Sequence, residues 1–361
     1  MTTGKGRTML LVDAHLDLAM NALNWDRNLD LTVDQIREAE AGLLPEKGRA
    51  CGTVAFPEMR KAEVGLSVVT VIARTAHPGS PATGVACQEI SYAKAQGQLA
   101  YYRCLESQGK IRMIGRASEL EDHLANWQTD PESTPLGMIL SMEGADPIVW
   151  PGQMTSWWQD GLRIVGLSHY GFSAYAHGTG TVGGLRGEAR ELLKEMDRLG
   201  AVLDTTHLAD QAFFEAIDVF GGRIMASHQN SRTLIPGERQ FTDEQLLVVI
   251  ERDGVIGAAL DAWMLYPDWI KGETSNKVVS LEAVADQIDY VCQMAGNARH
   301  AAIGSDLDGG YGTEQCPHDL DNIVDLQKVA GLLSNRGYSD EDVRSVMHGN
   351  WIHFLKDSLP D

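Results

Sequence analysis

The chain is predicted to fold as a single (β/α)8 barrel spanning residues 1–361. Three observations point there. Short apolar runs alternate with amphipathic helical patterns, as parallel βαβ units require. Eight such runs can be counted, and most end on a polar or metal-ligand type of residue. The 37 glycines supply backbone freedom for the many strand-to-helix turns of such a fold. A doubly wound open sheet is the structural alternative, because counting strands does not by itself close them into a ring.

The first strand is read over residues 10–14, a compact apolar run placed just before His15 and Asp17. Residues 25–57 are polar and irregular, and read as a loop insertion near the barrel mouth. Strands follow at 66–73, 136–142 and 162–168. The clearest helix covers 188–199, where Leu192, Met196 and Leu199 form one stripe and Gly200 supplies the left-handed stop. Two further strands occupy 201–206 and 223–227. Thr242 then caps a helix with acidic residues in its first turn. The seventh strand is 255–260, followed by a second irregular insertion over 263–276. Ser280 is read as the cap of the helix LEAVADQIDYVCQMAG, and the strand at 301–304 completes the set.

Bulk composition narrows the function classes. Hydrophobic residues make up 43 %, enough for a large core, while a formal charge of −20 argues against nucleic acid or an anionic membrane as partner. The five cysteines, Cys51, Cys87, Cys104, Cys292 and Cys316, are scattered without a C-x-x-C. That pattern suits reduced thiols in a cytoplasmic protein. The opening MTTGKGRT lacks a signal-peptide core, and no run approaches the ~18 apolar residues that a membrane span needs.

The chemistry gathers at the strand ends. His15 and Asp17 lie two apart, so on a strand they point to the same side. Glu143, His169, His207, His228 and Asp306 each follow another apolar run. Taken singly, such residues are ordinary: a histidine after a strand most often hydrogen-bonds within its loop. In a barrel, however, strand ends encircle one cavity. The H-x-D pair, two histidines and a bridging glutamate suit two divalent ions, with a water between them made nucleophilic. Asp306 is placed as general base, with Asp308 its nearest competitor for that role.

These residues, from LVDAHLDL to the closing GNWIHFL, resemble the renal (membrane) dipeptidase family, metallopeptidases of the amidohydrolase superfamily. The resemblance runs nearly end to end. It implies a (β/α)8 barrel of the metal-dependent hydrolase kind, with a binuclear zinc centre that hydrolyses small dipeptides. On that likeness His15, Asp17 and Glu143 hold one zinc, and Glu143, His207 and His228 hold the other. His169 is implied to bind substrate and steady its oxyanion, Arg239 to contact the substrate carboxylate, and Asp306 to be the catalytic aspartate. A homodimer and tolerance of a D-residue at the C-terminal position are also implied.

Three departures bear on substrate preference: Leu16 between the two ligands, QIDYV at 287–291, and YGFSAYAHGTG after His169. Weaker signals read differently. Gly178, Gly180 and Gly183 spell G-x-G-x-x-G, but no strand leads in, so a flexible active-site loop is expected rather than a nucleotide site. His177 in that loop is read as solvated. Trp150, Trp157 and Trp158 are read as packing residues, and Asp13 as a residue that orients a neighbour. Two rival functions remain: another amidohydrolase reaction, on an N-acyl amino acid, cyclic amide or lactone, and a catalytically silent barrel.

Overall fold

A computed structural model describes residues 8–361, so most of the N-terminal stretch read above lies outside the described residues. Its strands are β1 (Leu11–Leu16), β2 (Val64–Val71), β3 (Ile111–Met113), β4 (Leu136–Glu143), β5 (Leu162–Gly166), β6 (Val202–Asp204), β7 (Ile224–Met225), β8 (Ile256–Ala258) and β9 (Ala301–Ile303). All pair in parallel. The sheet runs β1-β2-β4-β5-β6-β7, with β3 added on β4, and β8 pairs with β9. Eight of these match the expected runs. The extra strand, β3, is three residues long and only one of them is fully buried, too short to leave a periodic signal.

The parallel sheet curls into a half-barrel. A bridge between Ala226 and Ile256 carries it from β7 to β8. Between β9 and β1 the ladder does not continue among the described residues. There, Asp306 N–H donates to His15 O at 3.3 Å, and the Asp13 carboxylate accepts from both the N–H and the hydroxyl of Ser305. A side-chain oxygen thus takes a donor that a strand carbonyl would otherwise need to satisfy. Asp13 also accepts from His15 N–H, the orienting role expected of it.

Two buried clusters sort the strand faces. Met138, Leu140 and Met142 of β4 join the larger one, while Ile139 joins the smaller. The smaller cluster takes residues from nearly every strand, from Val12 through Leu66 and Val202 to Ala302, and adds Trp351 and Phe354 of the last helix. By alternation Glu143 shares the face of Ile139. Leu16 belongs to the larger cluster and is fully buried. It faces away from the site, so it does not shape the substrate pocket as its position between two ligands suggested.

Helix signals were read well where they were local. The helix Ala189–Leu199 ends on Gly200 at φ 80°, and Thr242 forms a reciprocal capping box with Gln245. Ser280 is not a cap. That helix starts at Glu282, and Leu281 N–H is taken by Asp319 Oδ1, 2.8 Å away, from a distant part of the chain. The segment 25–57 is not wholly irregular either, since Thr32 and Gln35 box a helix over Val33–Glu40. Its apolar stripe is only Val33 and Ile36, which explains why periodicity missed it. Trp157 is buried as expected, whereas Trp150 is 55 % exposed.

Buried Asp146 fastens the loops that follow β2, β4 and β5. It accepts from Thr75 N–H (2.7 Å) and Ala174 N–H (2.8 Å), and pairs with His77 Nε2 (3.1 Å). No helix among the described residues is long and apolar enough to cross a membrane.

Candidate metal centre and active site

Most of the functional side chains share one placement rule. His169, His207, His228 and Asp306 each lie three residues past the last residue of their strands, Gly166, Asp204, Met225 and Ile303. Glu143 is the final residue of β4, His15 sits inside β1, and Asp17 follows directly. All therefore meet at the carboxyl ends of the parallel strands, as the sequence reading required. His207 and Asp306 reach in from left-handed backbone, at φ 68° and 57°. Such conformations cost energy and persist where packing and function hold them.

Glu143 stands at the centre. Its Oε1 lies 3.6 Å from His15 Nε2, 3.6 Å from His169 Nε2, 3.4 Å from His207 Nε2 and 3.5 Å from His228 Nε2. Asp17 Oδ1 and Asp306 Oδ1 lie 4.0 and 3.9 Å from His15 Nε2. His207 and His228 bring their Nε2 atoms within 3.2 Å of each other. Three overlapping sets have ligand atoms that all lie within 4.8 Å: His15–Glu143–His228, Glu143–His169–His207 and His15–Asp17–Asp306.

The electrostatics suit divalent cations. Burial, and then the field of Arg239, pulls the His15 imidazole down to about 3. Burial likewise holds His169, His207 and His228 well below their ordinary value, so all four rings are neutral with a lone pair each. Burial pushes Asp17 up to about 6, despite hydrogen bonding from Thr70. Glu143 and Asp306 rise well above the carboxylate range, first through burial and then through repulsion from Asp17. His15 Nε2 is buried with no hydrogen-bond partner. Neutral imidazoles, crowded carboxylates and an orphaned ring nitrogen are what a cation would satisfy. The residues fit.

The two aspartates separate cleanly. Asp308 accepts from Thr53 N–H (2.8 Å), Thr53 hydroxyl (2.7 Å), Val54 N–H (3.1 Å) and Arg27 Nη1 (3.3 Å). Asp306, by contrast, faces the histidines. Arg239 is buried, donating to Gln229 Oε1 (2.7 Å) and His228 O (2.9 Å), both neutral acceptors. Its field reaches Glu143 and Asp306 and lowers both.

A sequence profile described as membrane dipeptidase (peptidase family M19) matches residues 6–358. The chain belongs to that family. Membership makes it a metallo-dipeptidase, a hydrolase that works with divalent metal. Among curated relatives of this dipeptidase, dipeptidase aclJ of Aspergillus oryzae is 27 % identical over 319 residues, covering 85 % of this chain and 70 % of the relative. A solved M19 metallopeptidase, dipeptidase AC, superposes with a TM-score of 0.80 at 21 % identity, covering 98 % of this chain and 100 % of the other. A metallopeptidase from Rhodobacter sphaeroides, solved with a phosphinate mimic of L-Ala-D-Ala, gives 0.79 at 21 % identity with the same coverage.

Several residues around this dipeptidase site were not read from sequence. Thr70 donates to Asp17. The Thr179 hydroxyl meets His207 Nδ1 at 2.8 Å. The Ser227 hydroxyl meets His228 Nδ1 at 2.9 Å and His15 Nδ1 at 3.3 Å. Arg74 Nη1 meets His169 Nδ1 at 3.0 Å. Arg74 carried the same signal as the others, a polar residue just past an apolar run, but its type is not a metal ligand.

The glycine-rich loop is a folded excursion. Backbone hydrogen bonds from Gly171 to Thr179 O (2.7 Å) and from Thr179 to His169 O (3.1 Å) close it. A Cβ at Gly178 would lie 2.1 Å from the His169 carbonyl oxygen, so glycine is required there. His177 is half-buried against Phe172, not freely solvated. Gln287, within the departing QIDYV, is buried and accepts from Ser231 N–H at 2.8 Å, a structural duty.

Proposed function

We propose that this dipeptidase uses two zinc ions to hydrolyse small dipeptides that carry a free carboxylate, with a D-residue accepted at the C-terminal position. In this reading His15, Asp17 and Glu143 hold one ion, and Glu143, His207 and His228 hold the other. The observation that carries it is the central Glu143 oxygen, 3.4 to 3.6 Å from four imidazole nitrogens. From there the Glu143 carboxylate would be within reach of both ions that the surrounding side chains would hold.

When bound, the ions supply Lewis acidity, which makes water a nucleophile at neutral pH and polarises the scissile carbonyl. Asp306 takes the proton from the attacking water and returns it to the leaving amine nitrogen. Its 3.9 Å separation from His15 Nε2 keeps it beside the reacting centre. His169 turns Nε2 toward the same space and steadies the carbonyl oxygen as charge develops there. Arg239 clamps the substrate carboxylate with a guanidinium that no carboxylate of the protein pairs with among the described residues. The Rhodobacter relative, solved with its L-Ala-D-Ala mimic, supports both the dipeptide class and the D-residue.

We further read the curled sheet as a complete (β/α)8 barrel forming one domain, with insertions near 25–57 and 263–276. The five unpaired cysteines support a cytoplasmic setting, and family likeness supports a homodimer. Turnover of L-Ala-L-Ala, L-Ala-D-Ala and N-acetylalanine by the zinc-loaded protein tests the function. Dipeptide hydrolysis is expected. N-acetylalanine turnover without dipeptide turnover overturns it.

A further inference from the structure

Distance alone does not distinguish the four histidines of the centre. His169 Nε2 lies as close to Glu143 as His15 Nε2 does, and Glu143–His169–His207 converges as tightly as His15–Glu143–His228. The atoms behind the rings differ. His207 Nδ1 is backed by the Thr179 hydroxyl, while His15 and His228 share the Ser227 hydroxyl. A hydroxyl can accept an Nδ1–H or donate to a bare Nδ1, so it leaves each ring it backs free to hold its proton on Nδ1. The Ser227 proton is free to turn to Thr206 Oγ1, 3.4 Å away. With a cation bound, those three rings can therefore carry the proton on Nδ1 and offer it the Nε2 lone pair.

His169 is backed by a guanidinium. Arg74 Nη1 lies 3.0 Å from its Nδ1, and a guanidinium has donors only. Nδ1 of His169 must therefore hold the lone pair, and in the neutral ring the proton sits on Nε2. That atom is the one aimed into the site, 3.6 Å from Glu143 Oε1. An Nε2–H cannot ligate a cation, but it donates well to an oxygen gaining negative charge. Arg74 is built into the same frame as the catalytic groups, since it too stands three residues past its strand, which ends at Val71. Thr75, the next residue, is held by buried Asp146.

We propose that Arg74 is a positioning residue of this hydrolase: its donation to Nδ1 fixes His169 as the Nε2–H tautomer, the one imidazole of four that donates instead of ligating. The geometry stands by itself, while its catalytic consequence rests on the metallo-dipeptidase reading above.

The test uses the zinc-loaded full chain with 15N-labelled histidine, and His169→Asn to assign the His169 signals. The expected wild-type pattern is a bare Nδ1 and a protonated Nε2 at His169. Arg74→Met is expected to lose that pattern and to lower kcat by ~10- to 100-fold, with zinc content and KM little changed. Arg74→Lys, whose ammonium also only donates, is expected to keep the tautomer and recover most of kcat. A protonated Nδ1 in the wild type overturns the proposal, as does Arg74→Met that keeps kcat or loses zinc. If no dipeptide is turned over, the functional reading fails while the nitrogen spectra still decide the tautomer.

Discussion

Asp306 and Asp308 sit two residues apart, both in left-handed backbone at φ 57° and 62°, and they lead opposite lives. Asp308 belongs to a satisfied region. It binds two N–H groups, a hydroxyl and Arg27, and Arg27 in turn holds Glu40 through Nε at 2.6 Å and Gly48 O through Nη2 at 2.7 Å. This network ties the segment around the helix Val33–Glu40 to the loop after β9. Asp306 belongs to an unsatisfied region, where carboxylates crowd neutral imidazoles and His15 Nε2 has no partner. Buried polar groups are normally paired, so a cluster left unpaired is poised for something that arrives. The difference teaches that partners, not position, divide a structural carboxylate from a reactive one.

That contrast can be broken in several ways. The largest effect is expected from Asp306→Asn, which lowers kcat by ~10²- to 10⁴-fold while elemental analysis finds zinc unchanged. Loss of zinc there would make Asp306 a ligand instead of a base. Asp308→Ala leaves Arg27 paired with Glu40 but strands the buried N–H donors of Thr53 and Val54, and is expected to cost about 1–3 kcal/mol in denaturant unfolding. A stable but inactive Asp308→Ala would reverse the two assignments. Arg239→Ala is expected to raise the dipeptide KM by ~10- to 100-fold with a smaller effect on kcat, as for a lost charge-assisted hydrogen bond. An unchanged KM rejects the clamp.

The smallest effect concerns pH. The folded value of Asp17, about 6, lies above its ordinary 3.8. Its contribution to the metal-free fold is therefore full below 3.8 and lost as pH rises through about 6. A bound cation needs the ionised carboxylate and relieves that loss. The imidazoles, held neutral with or without the ion, largely cancel in the difference. The zinc-induced rise in Tm is thus expected to shrink as pH falls from 7.5 through about 6. A rise independent of pH would show that zinc displaces no proton from Asp17 or Glu143, and would remove both from the ligand set.

The sequence displayed the ligand types at strand ends because each strand carries its own local signal, an apolar run followed by a polar residue. His207 and His228 stood out on that ground as strand-end residues, and became candidate ligands only through the joint pattern and the family likeness. What it concealed were partners supplied from far along the chain. Ser227 backs His15 across 212 residues, and Asp319 takes over the capping role that Ser280 was expected to fill. Leu16 misled for a related reason. Its neighbours are candidate ligands, but the register of β1 shifts between Asp13 and Leu16, and the leucine turns into the packed layer. Residue type hid Arg74, whose role depends on the ring it touches.

The excursion between His169 and Leu185 begins with the donor ring and returns, ten residues on, with the hydroxyl behind His207. It works as a fixed-length ruler between the two. Lengthening its stem by a single residue would slide Thr179 off its partner and disturb His169 and His207 together. Only the tip, where Val182 is 90 % exposed, is free to drift. The stem is therefore closed to insertions, and changes of length fall at the tip.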